Sequence, residues 1–361
     1  MSLLFTQGNI GSLELPNRIV RSATAERLAD AEGRPTPRLK EMWVNLARGG
    51  TGLIISGHMY VHPTGKCHPE MVGIYQDDLV PGLAELVDAV HQQGGKIAVQ
   101  INHGGMQCSR ETVSGTMAPS AIEEGFLEQP AREMTGDEIW MVIEAYAQAA
   151  RRAKEAGFDA VQLHGAHGYL INQFNSPYTN RRSDEWGGDS NKRLRFMKEI
   201  SQAVRSQVGQ GYPIFIKFGM EDGVEGGLTA EIGSLAIAQM AEMGLDGVEI
   251  SGGIRSNNTM KGIKSEDREA YFRPQAKIAR TKTSLPLILV GGMRTRKVME
   301  DVLASGDADF VSMCRPLINN PNFPNLLKTR TQERSECISS NNCGPKEDGE
   351  GIACRCPKIE K

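Results

Sequence analysis

The sequence contains no run of about 18 apolar residues, the length a membrane-spanning helix needs. Its start, MSLLFTQGNIGSLELPNR, has no basic stretch followed by an apolar one, the pattern of an export signal. A cytoplasmic location with no membrane partner is the expectation. Nor is either charge in excess: 41 Lys and Arg stand against 44 Asp and Glu, a net charge of −3. Nucleic acids and anionic membranes are met by basic patches, so the expected partner is a small molecule. No H-E-x-x-H pair is present to hold zinc, and no G-x-G-x-x-G follows the first predicted strand in NRIVRSATAERLA, where an open dinucleotide-binding sheet would carry it. Before the final segment cysteine is sparse. Cys67, Cys108 and Cys314 are widely separated, which suits a reducing compartment and argues against a disulfide framework.

What is present is an alternation. Eight short, near-continuously apolar runs (NRIVRSAT, TGLIISG, KIAVQINH, FDAVQLHG, PIFIKFG, DGVEISG, PLILVGG and ADFVSMC) read as parallel strands covered on both faces. Helical segments separate them. The clearest follows a capping box from Thr135 to Glu138, with Ile139, Val142, Ile143, Tyr146, Ala150 and Ala153 on one face and Gly157 as the stop. Eight such repeats predict an α/β fold, a (β/α)8 TIM barrel over residues 1–330, with LLFTQGNIGSLEL as an N-terminal hairpin capping the lower end. Residues 331–361 form a short Cys-rich tail.

A barrel does its chemistry at the C-terminal ends of its strands. Two loops there are long, 104–134 and 165–190, and loops of that length in a compact domain usually serve function. The fourth strand ends in QLHGAHGYL, which gathers His164, His167 and Tyr169, donors suited to gripping a carbonyl oxygen and delivering a proton. The alternative is that the histidines only hydrogen-bond within their loop. Strands seven and eight end in LVGGMR and SMCRP. Gly291 and Gly292 would let backbone N–H groups approach a phosphate that Arg315 grips, or they are turn glycines beside a surface arginine. Gln100 offers an amide near the end of strand three. Lys217, in the barrel wall, is costly to bury unless paired, and an anionic partner at the mouth is the expected reason for it.

The stretch HGAHGYLINQFNSPYTNRRSDEWGG, with PNRIVRSAT, the GGIRS loop, LVGGMRT and SMCRPLINNPNF, resembles the old yellow enzyme family of FMN-dependent oxidoreductases, near the ene-reductases and the barrel domain of dienoyl-CoA reductase. The resemblance runs collinearly from Leu4 to the tail. It implies FMN at the barrel mouth: Ala23, Thr24 and Ala25 beside the flavin, Gly57 lining it, Gln100 at its pyrimidine edge, Lys217 near N1 and O2, and Gly291, Gly292, Cys314 and Arg315 at the phosphate. It also implies that His164 and His167 hold the substrate's activating oxygen, that Tyr169 gives a proton to the α-carbon, and that NADH or NADPH reduces the flavin before an enone or enoate enters the same pocket. Ala25, Lys217 and Cys314 depart from the family's commoner residues. The physiological alkene, the choice of nicotinamide and the presence of a homo-oligomer stay open.

The tail holds Cys337, Cys343, Cys354 and Cys356. In the dienoyl-CoA reductase branch, four cysteines after the barrel ligate an iron–sulfur cluster fed by a further flavin domain. Here Ser340 interrupts the C-x-x-C-x-x-C spacing and no second flavin domain is expected after Lys361, so the expectation is a flexible tail whose cysteines are free or remnant. The alternative function is an electron-transfer or multi-subunit flavin component with a metal or iron–sulfur site in the tail. A third reading is a phosphate-binding aldolase or isomerase with Lys217 as a Schiff base.

Overall fold

The computed structural model describes residues 2–124, 127–254, 267–347 and 349–356. The chain opens with an antiparallel hairpin, β1 (Gly8–Ile10) and β2 (Leu13–Leu15), turned at Gly11 with φ +56°. Strands β3 (Ile19–Arg21), β4 (Leu53–Tyr60) and β5 (Ile97–Asn102) follow. A small parallel pair, β6 (Thr116–Ala118) and β7 (Ala131–Glu133), lies within the first long loop. Next come β8 (Ala160–Gly165), β9 (Ile214–Gly219), β10 (Gly247–Ser251), β11 (Leu287–Val290) and β12 (Phe310–Met313). β3, β4, β5 and β8 to β12 close in that order into one parallel barrel, as the eight apolar runs predict. Among the described residues no helix is long and apolar enough to cross a membrane.

Period-two alternation sorts each strand between the helix-facing shell and the lumen. On β9, Ile214, Ile216 and Phe218 join the outer core, whereas Phe215 packs with Val20, Leu53, Ile55, Ala98, Ala160, Ile288 and Phe310 inside. Ile10, Leu13 and Leu15 of the hairpin join this inner cluster, so the hairpin plugs the lumen from below as expected. The next inward position on several strands is polar: Ser22, Gln100, Gln162, Lys217, Glu249 and Ser312, all buried. The barrel is thus apolar at its floor and polar toward its C-terminal mouth.

The helix from Gly136 to Glu155 has the predicted capping box, and its predicted apolar face is fully buried. The long loops are held by buried side chains. Asn172 Oδ1 accepts from Gly168 N at 2.7 Å, and Gln173 Nε2 donates to Gly104 O at 3.1 Å and to Gly168 O at 2.6 Å. Asn180 Nδ2 donates to Phe174 O and Trp186 O, both at 2.8 Å, and Arg182 reaches Pro119 O and Met134 O. Much of the INQFNSPYTNRRSDEWGG stretch therefore works as scaffold.

The tail does not hang free. Ser335 N donates to Arg294 O at 2.9 Å and Ile352 N to Glu26 O at 3.0 Å. Cys337 is buried and Gly351 lies against Leu28. The expectation of a flexible tail is corrected for these residues: the chain's own backbone donors are satisfied on the barrel. Glu26 is the anchor. Its carboxylate bridges Arg21 at 3.0 Å, Trp43 Nε1 at 2.9 Å and Gly57 N at 2.9 Å, in full burial. Burial pushes its pKa up against the pull of Arg21.

Removing one member of a buried ion pair strands the other charge. Glu26→Ala should therefore destabilise the chain by about 3–5 kcal/mol, read from the urea midpoint at unchanged slope. A loss below about 1 kcal/mol would mean that Arg21 finds another partner.

Candidate active site

The mouth is built on a buried polar network. Glu249 on β10 accepts from Ser22 Oγ and Ser312 Oγ, both at 2.8 Å on Oε1, and from Gln162 Nε2 at 2.8 Å on Oε2. Lys217, its register neighbour on β9, stands 3.4 Å from the same carboxylate and donates to Ser22 Oγ at 2.7 Å. Gln100 Nε2 donates onward to Gln162 Oε1 at 2.7 Å. An external anion is not needed to explain the burial of Lys217. The structure supplies an internal partner, Glu249, from the neighbouring strand. Glu249, Gln162, Ser22 and Ser312 were missed, although each lies at an inward position of a predicted strand.

Above this layer the aromatic donors converge. His164 and Tyr169 have ring centroids 4.7 Å apart, and His164 and His167 5.2 Å. His167, at φ +63°, has Nε2 2.7 Å from Ser251 Oγ. His164 is 4% exposed and its Nδ1 has no protein partner. Burial first, then His167, His58 and Lys217, hold its pKa well below the ordinary value, so the imidazole is neutral near pH 7.

His58, to which the sequence pattern assigns no role, joins this group. It lies past an irregularity in the β4–β5 register, its ring 5.1 Å from Tyr169 and 6.0 Å from His164, with Nδ1 2.9 Å from Asn102 Nδ2. The ring of His68 lies tilted beside it, with centroids 5.9 Å apart. The signal available was the run of three histidines, His58, His62 and His68, in SGHMYVHPTGKCH, which begins on a strand end that faces the same mouth.

The third part is a small cavity of about 50 Å³ between the ends of β11 and β12, lined in part by Gly292, Arg294, Ser312, Cys314 and Arg315. Gly292 has φ +70°, and a methyl there would run into the carbonyl of Arg268. Arg294, quoted within LVGGMRT but given no role, is buried against the tail through Ser339. Arg315 Nη1 donates to Asn341 Oδ1 at 2.7 Å. Thr24 Oγ1 and Cys314 Sγ are 2.7 Å apart, which joins the Ala23–Ala25 segment to this cavity. Gly57 is packed so closely on Glu26 and Thr24 O that no side chain fits. Arg255 and Ser256 of the GGIRS loop lie outside the described residues.

The tail thiols gather nearby. Cys343 is pushed up to about 11 by burial and then by Cys314, Cys337, Cys354 and Cys356. Cys356 Sγ is 3.0 Å from Ser340 Oγ, and Cys354 Sγ accepts from Asn319 Nδ2 at 3.3 Å. Among the described residues no three His, Cys, Asp or Glu side chains form a metal-holding group.

A closed barrel with this mouth places the chain among the flavin-oxidoreductase barrels, and comparison with known proteins bears this out. The profile of the NADH:flavin oxidoreductase / NADH oxidase family matches residues 3–334. An NADH oxidase of Thermoanaerobacter brockii is 39% identical over 342 residues, covering 94% of this chain and 52% of that protein. An NADPH dehydrogenase of Geobacillus sp. (strain WCH70) is 36% identical over 324 residues, covering 90% and 93%. The solved structure of an old yellow enzyme homologue from Zymomonas mobilis aligns with TM-score 0.81 at 27% identity, covering 93% of this chain and 95% of that one. The chain belongs to the NADH:flavin oxidoreductase / NADH oxidase family, the family of old yellow enzyme. It spans about half the length of the T. brockii protein.

The imidazoles have a consequence for stability. Burial holds His58, His68 and His103 at about 3, against 6.5 for an unperturbed histidine. The unfolded chain therefore takes up protons first on acidification. Their contribution is fully present above about pH 6.5 and is lost progressively toward pH 3, by up to about 1.4 kcal/mol per pH unit for each histidine. Urea unfolding at a series of pH values should show this fall; a flat profile would mean that the rings titrate normally.

Proposed function

We propose that the chain reduces activated C=C bonds of unsaturated carbonyl compounds with NADH or NADPH, using FMN at the barrel mouth. The observation that carries this reading is the neutral, buried His164, with one ring nitrogen unpartnered, set beside Tyr169 above the Lys217–Glu249 network. The residues fit the cofactor. Gln100 offers an amide and Lys217 a positive charge for the flavin ring, with Ala23, Thr24, Ala25 and Gly57 beside it. Gly292, Cys314 and Arg315, with Arg294, line a small cationic cradle suited to a phosphate, and Gly291 stands next to Gly292 in the chain. Bound there, FMN would supply hydride transfer from the nicotinamide to the substrate's β-carbon.

The chain's own part is binding, polarisation and proton delivery. His164 donates a hydrogen bond to the substrate's carbonyl oxygen and draws electron density from the double bond. A neutral donor keeps this function across the physiological range, because no proton has to be gained. His167, steadied by Ser251, is the second donor of that grip. Tyr169 holds the proton destined for the α-carbon. The Glu249 carboxylate and Ser22 fix Lys217, so the positive charge keeps its place without an external anion. Residues 1–330 form the catalytic barrel in this reading, and 331–361 its tail.

Turnover of an α,β-unsaturated ketone by the FMN-loaded protein tests the assignment. His164→Ala should lower kcat/KM by about 10²-fold or more, the scale for loss of one oxyanion donor. Tyr169→Phe should lower kcat by about 10²-fold while leaving reduction by NADH or NADPH unchanged. Wild-type turnover in either variant would remove that residue's role.

A second reading, an electron-transfer or multi-subunit flavin component with an iron–sulfur or metal site in the tail, has one observation in its favour: Cys343 feels four other cysteines at once. Stoichiometric iron and sulfide in protein purified without oxygen, lost in Cys337→Ala, would favour it over the first reading.

A further inference from the structure

Two cysteines outside the tail face each other beside the active site. Cys67 lies on the loop after β4 and Cys108 on the loop after β5. Those loops are zipped together: Gly104 N donates to Gly65 O at 3.0 Å, Ser109 N to Cys67 O at 3.2 Å, and Thr112 Oγ1 to Lys66 O at 2.6 Å. A methyl at Gly104 would lie 2.6 Å from Cys67 Sγ and 2.5 Å from Cys108 Sγ, so the sulfurs are at most about 5 Å apart. The glycine leaves the space between loop and thiols open.

The two thiols differ in environment. Cys108 is buried, with Sγ 3.5 Å from Thr64 O; Cys67 is half-buried, with Sγ 3.6 Å from Gly65 O. Contact with Cys67 and then burial raise the Cys108 thiol well above its ordinary pKa. The pair is also wired to the site on both sides. Asn102 Nδ2 lies 3.8 Å from Cys67 Sγ and 2.9 Å from His58 Nδ1. Gln107, next to Cys108 in the chain, donates from Nε2 to His167 O at 2.7 Å.

We infer that Cys67 and Cys108 form a dithiol oxidised to a disulfide by small organic disulfides, and that this bond loosens the substrate grip. Cys67, the more accessible thiol, attacks the reagent RSSR as thiolate, forming a Cys67–SR mixed disulfide and releasing one RS⁻. Cys108, deprotonated, then attacks the Cys67 sulfur, closes the Cys67–Cys108 bond and expels the second RS⁻. Two cysteine thiols are oxidised, one organic disulfide is reduced to two thiols, and the protons pass to the leaving thiolates. Closing the bond brings the sulfurs to about 2.05 Å. That draws together the segments that carry Asn102 and Gln107, and so shifts His58 and His167.

The test uses the full chain equilibrated with oxidised glutathione, then alkylated and digested without reduction. A peptide pair joined through Cys67 and Cys108, reversed by dithiothreitol, is expected. In Cys108→Ser, glutathione should remain on Cys67; in Cys67→Ser, Cys108 should stay reduced. A wild-type protein that keeps glutathione on Cys67, or shows neither modification while the tail cysteines react, overturns the inference. The effect on the grip rests on the proposed ene-reductase function and is read separately. Oxidised wild type should lose at least about fivefold in kcat/KM and recover it on reduction, whereas Cys108→Ser carries no disulfide-dependent loss. A crosslink without that loss overturns the coupling to the site; a crosslink in a protein with no ene-reductase turnover leaves the dithiol standing and sinks the function.

Discussion

The mouth of this barrel depends on one buried ion pair. A lysine inside a barrel wall is tolerable only with a counter-charge, and a carboxylate there only with donors. Lys217 and Glu249 answer each other across adjacent strands, and Ser22, Ser312 and Gln162 take up the remaining capacity of the carboxylate. Four further strands thereby meet at one carboxylate, from β3, β8, β9 and β12. Such a network has a single satisfied arrangement, which fixes where the polar groups above it stand.

From that layer upward the structure changes character. Below it, Phe215, Ile288 and Phe310 fill the lumen as a packed core, closed by the hairpin. Above it, His58 and His164, imidazoles that burial keeps neutral, stand at the ends of β4 and β8 beside Tyr169, whose loop is tied down by Asn172, Gln173 and Asn180. The loop side chains therefore need little ordering when a ligand arrives, which lowers the entropic cost of binding. The tail adds to this rigidity on the far side, through Ile352 on Glu26 and Ser339 on Arg294.

The barrel was legible because eight parallel strands covered on both faces leave eight apolar runs, and because the 136–155 helix has its cap, stripe and stop in plain sequence. His164, His167 and Tyr169 were legible because they crowd one strand end. Glu249 was not, since its role comes from being opposite Lys217 in register, and register between strands 32 residues apart is set by the closed barrel. His58 was hidden by the β4 irregularity, which changes which side chains face inward. The tail was misjudged because composition reports charge and glycine, while its order comes from backbone donors that find acceptors on a surface no composition describes.

The central claim is that the buried network and the Gly292–Arg294–Arg315 cavity together form one flavin mononucleotide site. Equilibrium titration of the flavin-free protein with FMN and with riboflavin, followed by flavin fluorescence, tests it most directly. The account predicts one FMN per chain, with riboflavin weaker by about tenfold or more, about 1.4 kcal/mol for the lost phosphate contacts. Equal affinity for the two, or binding of neither, would contradict it.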